Sequence, residues 1–158
     1  MNLLSILKKH TGYSFRSIQI LFDEFSDDEF TLVVNGFPIW QQFYHMLNSM
    51  DRIFTDPHDY SFPDFHDGQV HMLETRTDKA LSKSLLSQYF EKMRRAIERY
   101  LEEIDENRLY EKSNHRTIDM TKLDHILAQL RHMAWHMGYL HSCAKVMHGE
   151  TPQHILIE

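Results

Sequence analysis

The sequence predicts an all-α fold, a four-helix bundle with a long crossover between its second and third helices. Three observations predict it. Four stretches carry apolar residues at the three-four spacing of a one-sided helix. Five glycines and four prolines in 158 residues leave few places to turn, which favours long helices. The one β-prone stretch, residues 31–34 before an Asn35-Gly36 turn, is too short to make a sheet. Hydrophobic residues at 42% supply a real core, and the length suits one domain over residues 1–158.

The first helix is expected over residues 13–25, where Phe15, Ile18, Leu21, Phe22 and Phe25 share a face. Residues 3–7 read as an earlier turn broken near Gly12, and Ser26-Asp27-Asp28 ends the helix. The second helix opens with Pro38 in its first turn, where a missing N–H does no harm, and runs to about Phe54. Phe43, Leu47, Met50 and Phe54 make its stripe, and Trp40, Tyr44, Met46 and Ile53 widen it. Residues 56–77 hold Pro57 and Pro63 among Asp and His and read as the crossover, a length that is often functional. The third helix follows a cap at Thr77 or Asp78, with Leu86, Tyr89, Met93, Ile97, Tyr100 and Ile104 along it to about Asp105. Its outer face, Glu91, Arg94, Arg95, Glu98 and Arg99, alternates charge as solvated faces do. The fourth helix runs from near Asp119 to a stop at Gly149.

Charge and cysteine usage narrow the function. A net charge of -6 argues against nucleic acid and against an anionic membrane surface. No apolar run is long enough to span a bilayer. The first ten residues place Lys8 and Lys9 after the apolar stretch, the reverse of a secretory signal. The single cysteine, Cys143, forms no internal disulfide, and a cytoplasmic protein is expected.

Twelve histidines are many for this length. Most are expected on the surface, but two are not. At about 100° per residue, His132 and His136 lie about 40° apart on the fourth helix, with His125 and Gln129 in the same sector. Met133 and Leu140 flank that sector on one side, and Ala128, Trp135 and Val146 on the other. Arg131, Ser142 and Lys145 mark the opposite, wet face. A polar stripe inside a buried face needs partners, and one metal ion satisfies two imidazoles at i, i+4. The bland alternative is histidines that bond each other or face a wet rim. The stripe is not a zinc-protease helix, because Met133 stands where that motif has its glutamate. The third ligand would be His45, the one histidine of the second helix. Its helical position lies beside Gln41, Ser49 and Arg52, and periodicity alone makes it a surface residue.

The segment Phe43-Tyr44-His45-Met46-Leu47-Asn48-Ser49-Met50-Asp51-Arg52-Ile53-Phe54 resembles the second helix of the DinB-like (DinB/YfiT) superfamily. That helix carries one metal-binding histidine. His132-Met133-Ala134-Trp135-His136-Met137-Gly138-Tyr139-Leu140 resembles the family's last-helix motif, two histidines four apart with a glycine two residues on. Order and separation match, as does the Ser26-Asp27-Asp28-Glu29 run, so the resemblance covers most of the chain. Met137 departs from the arginine usual before that glycine.

The resemblance implies a four-helix bundle, a metal site on His45, His132 and His136, and frequent homodimers. It also implies a mixed set of activities, some of them thiol-dependent transfers, and no DNA binding. Zn²⁺ suits three nitrogens and a water, and Ni²⁺, Fe²⁺ or Mn²⁺ suits imidazole as well. The expected function is a metal-dependent enzyme, hydrolase or thiol transferase, on a small molecule. The alternatives are a non-catalytic metal-binding or interaction bundle, and a purely structural bundle. His125 and Gln129 are candidate helpers. Asp64, His66 and Asp67 lie in the crossover, where plain solvated loop is the first expectation and closing over the site the alternative, and Cys143 is expected as a buried filler. A homodimer is expected from the large apolar residues too. Ten Phe, nine Met, two Trp and seven Tyr exceed what such a bundle needs, and Trp40, Tyr44 and Ile53 fall outside the main stripe; the alternative is that the crossover covers them within one chain.

Overall fold

A computed structural model describes residues 2–77, 79–114, 119–150 and 152. Its order is α1 (Leu3–Glu24), β1 (Val33–Val34), β2 (Phe37–Pro38), α2 (Ile39–Phe54), α3 (Lys83–Glu103) and α4 (Lys122–His148). Short 3₁₀ turns stand at Glu29–Thr31 and Glu106–Tyr110. α1 packs on α4 and α3, and α2 on α3 and α4, so the four long helices form the expected bundle.

Helix starts follow side-chain caps. Asn2 accepts from the Ser5 amide at α1, and Ser82 from the Leu85 amide at α3. Thr121 and Asp124 form a reciprocal capping box at α4. Gly149, at φ 81°, ends α4 in the left-handed conformation that glycine adopts without strain.

Four expectations are corrected. α1 is continuous through Gly12. Leu7, Thr11, Phe15 and Ile18 are all buried across it, and that packing outweighs the roughly 1 kcal/mol a helical glycine costs. The residues around Asn35-Gly36 do form a sheet, a minimal antiparallel hairpin pairing Val33 with Pro38 and Val34 with Phe37. Asn35 (φ 51°) and Gly36 (φ 112°) are both left-handed, as a two-residue hairpin turn requires. α3 starts at Lys83, after the Ser82 cap, rather than after Thr77; its apolar stripe begins only at Leu86, and Asp78 lies outside the described residues. α4 starts at Lys122 rather than near Asp119, because the capping box sits at Thr121.

An aromatic centre joins the helices. Phe22 of α1 stacks on Phe43 of α2 at 4.2 Å between ring centroids and on Phe90 of α3 at 5.8 Å. The crossover, residues 55–82, is irregular but pinned. Gln41 donates to the Thr75 carbonyl at 2.7 Å and to the Val70 carbonyl at 3.2 Å. Tyr44 bonds to Nδ1 of His66 at 2.6 Å, and Asn48 donates to the Tyr60 hydroxyl at 2.8 Å. Trp40 and Tyr44, outside the main stripe, are thereby closed off inside one chain. Among the described residues no helix is long and apolar enough to cross a membrane.

At the end of α4, His148 bridges Glu24 (2.7 Å) and Glu29 (2.9 Å). These bonds, Glu29 first, raise the His148 pKa above its ordinary 6.5. The Ser26 amide, then His148, lowers Glu29 to about 2. The histidine's contribution is full below its unfolded value and lost as pH climbs through the raised one. The glutamate's is full above 4.5 and lost as pH falls towards about 2. His148→Gln should therefore lower the unfolding temperature more at pH 6 than at pH 9. Equal losses at both pH values would show that the bridge does not titrate as drawn.

Candidate metal centre

α2 and α4 run side by side and bring the three predicted histidines together. The Nε2 atom of His132 lies 3.2 Å from that of His45 and 3.0 Å from that of His136. All three donor atoms fall within 4.8 Å of one another, and no other group of histidine, cysteine or carboxylate side chains among the described residues is arranged to share an ion.

Tautomers follow from what the other ring nitrogens touch. His45 Nδ1 lies 2.6 Å from the His71 carbonyl, which only accepts, so Nδ1 carries the proton. His136 Nδ1 likewise donates to Gln42 Oε1 at 3.1 Å. Both Nε2 atoms therefore turn bare lone pairs inward. His132 Nδ1 is buried without a partner. A single Nε2 proton on His132 cannot satisfy both neighbours well, and three converging nitrogen lone pairs suit a cation. Burial, the largest cause in each case, lowers all three pKa values, His132 to about 4 and His136 to about 3. The rings stay neutral at ordinary pH, as metal ligands must.

His45 is half-buried rather than on the surface, because the crossover and α4 cover the face that periodicity leaves wet. Gln129 stays one turn away, meeting the Ser49 hydroxyl at 3.4 Å. His125 turns away and bonds to Ser113 at 2.6 Å. His66 holds Tyr44 and stacks face-on against Phe62 at 3.8 Å. Asp64 and Asp67 are exposed, and Asp67 pairs with Lys79 at 3.4 Å. The crossover thus reaches the triad through the His71 carbonyl and not through those three side chains. Cys143 is fully buried, and burial pushes its thiol up, which fits a filler. Trp135 and Val146 are 68% and 70% exposed, so the stripe borders solvent on that side instead of lying within the core.

Sequence reasoning missed Gln42 and the His71 carbonyl. A signal for Gln42 exists: Gln41-Gln42 interrupts an otherwise apolar opening of α2, and buried amides need partners. Nothing in the sequence marks a backbone carbonyl inside an irregular crossover.

No family model matches the sequence, and no curated protein is detectably similar to it. One solved structure, described as a conserved protein from Enterococcus faecalis, is similar in fold. Its TM-score is 0.69 over 95% of this chain and 99% of that one, at 13% identity.

Proposed function

We propose that the chain is a divalent-metal-binding bundle of the DinB-like kind, with His45, His132 and His136 as the ligands and a metal-dependent activity on a small molecule. The observation that carries the reading is the convergence of three Nε2 atoms while Nδ1 of two of the rings is engaged outside. Gln42 and the His71 carbonyl act as the outer partners that orient a ligating histidine. Zn²⁺ suits the donor set best, with Ni²⁺, Fe²⁺ and Mn²⁺ also accepted. An ion held by three neutral imidazoles keeps its full charge and supplies Lewis acidity to a bound water or thiol. Beside the triad, the Trp135 ring of α4 lies 4.8 Å from that of His136 and is largely exposed. Hydrolysis or thiol transfer fits such a centre, and a non-catalytic metal-binding bundle is the second reading, favoured by the lack of a carboxylate within the cluster.

Metal analysis of protein purified without an immobilised-metal column tests it. About one ion per chain is expected, with a rise in unfolding temperature when zinc is restored to stripped protein. Protein that neither retains nor is stabilised by any divalent ion would sink the reading.

A homodimer belongs to the same proposal. Trp40 and Tyr44 no longer argue for it, since both are buried in one chain. Support comes from the outward side of α4, where Leu127, Trp135 and Val146 leave apolar surface uncovered. Light scattering at micromolar concentration should give twice the chain mass, and Trp135→Glu should halve it. A chain mass that does not change on concentration would refute the dimer.

A further inference from the structure

A cavity of about 630 Å³ opens between α1 and α3, a size that suits a small-molecule ligand. The triad lies between α2 and α4, so this cavity is on the opposite side of the bundle. Its floor is apolar. Phe15 of α1 and Phe90 of α3 meet edge to face there, at 6.0 Å between ring centroids. Gly12 stands beside them in the middle of α1. Outside its own helix backbone, no atom lies within 4 Å of the place a Cβ would take. Alanine would favour the helix and meet nothing, so packing does not call for this glycine. What the missing side chain does is leave the cavity open.

The α1 wall is cationic. Lys9 Nζ lies 5.6 Å from the centre of the Tyr13 ring and Arg16 Cζ lies 4.8 Å from it, so two cations are held over one ring at the rim. Lys8 adds a third. The two carboxylates of the lining belong to α3 and are already taken, since Arg94 binds Glu91 at 2.8 Å and Glu98 at 3.1 Å. Lys8, Lys9 and Arg16 pair with no carboxylate among the described residues. The lining thus has an excess of positive charge on a chain whose net charge is -6. A concave apolar floor beneath unpaired cations concentrates their field on whatever enters.

We infer that the cavity between α1 and α3 binds a small amphipathic acid, with its acid group at Lys9 and Arg16 beside Tyr13 and its apolar body on Phe15 and Phe90. An apolar lining with a few placed polar groups is the usual make-up of a small-molecule site. The inference does not depend on the triad holding an ion.

Two fluorescent probes provide the test. One is 8-anilinonaphthalene-1-sulfonate, and the other is N-phenyl-1-naphthylamine, the same rings without the sulfonate. Both brighten when the rings leave water. Replacing Lys9 and Arg16 together by glutamine should weaken the sulfonate about tenfold, as losing a charge-assisted bond of ordinary strength does, and leave the neutral probe within about twofold. Both residues are exposed, so the fold survives the exchange. Gly12→Leu places a side chain in the cavity and should weaken both probes, while the smaller Gly12→Ala should leave both binding. Sulfonate binding that survives Gly12→Leu would put the probe on outer surface and overturn the cavity as its site. A sulfonate indifferent to the double glutamine variant, or a neutral probe weakened as much, would overturn the place of the acid group. Light scattering adds a third outcome: a mass for Gly12→Leu that differs from the parent's would mean that a second copy of the chain fills the cavity, which also overturns the inference.

Discussion

Replacing His136 by alanine is expected to abolish tight binding of a divalent ion while the helical content stays near that of the parent. The substitution removes one of three donors, and two imidazoles leave the ion half-coordinated by water. It also removes the N–H that donates to Gln42 Oε1 across from α4. A graded comparison separates ligand from support. Gln42→Leu keeps all three nitrogens but frees the His136 ring, and outer partners of this kind typically contribute about 10- to 100-fold in affinity. The order of affinity should therefore be parent, then Gln42→Leu, then His136→Ala, read by competition with a metal-sensitive dye. Equal affinities for parent and His136→Ala would place the metal elsewhere, and equal affinities for parent and Gln42→Leu would show that the ring needs no such support.

Much of this arrangement was legible in the residues. The apolar spacing of α2, α3 and α4 located three helices within a few residues of their true limits. The i, i+4 pair on α4 identified two converging nitrogens. His45 shows where periodicity stops working. A helical wheel ranks a face by its own residues, and Gln41, His45, Ser49 and Arg52 make a polar face. In the fold the Gln41 and His45 end of that face is covered by the crossover, whose backbone carbonyls bond to Gln41 and His45 while its Tyr60 and His66 side chains bond to Asn48 and Tyr44; Arg52 stays exposed. A polar face can be buried when an irregular segment brings unpaired carbonyls to it. The resemblance to a known helix motif located His45 where the wheel could not. The crossover itself was legible only as a length. Which of its residues would face the triad depends on turns at 63–66 and 69–72, and these carry little sequence signal.

Phe43→Ala is expected to destabilise the protein by about 3–5 kcal/mol, the usual cost of emptying a buried phenylalanine site. Phe43 is 0% exposed and sits between Phe22 at 4.2 Å and Phe30 at 5.2 Å, with the edge of Phe25 at 6.3 Å. Those neighbours belong to α1 and to the turn after it, so they cannot collapse onto the space without moving a helix. At this chain length each kcal/mol lowers the unfolding temperature by about 2–4 °C, so a drop on the order of 10 °C should be seen. Arg99→Ala on the exposed face of α3 gives the baseline, within about 0.5 kcal/mol of the parent. The site connects the two experiments, because Phe43 lies between Gln42 and His45 on α2. An ion on the triad would bind only the folded chain, and a ligand at a hundred times its dissociation constant adds about 2.7 kcal/mol. Zinc should thus recover part of the temperature lost in Phe43→Ala and almost none in His136→Ala. A Phe43→Ala protein destabilised by less than about 1 kcal/mol would contradict the aromatic centre, whatever the metal does.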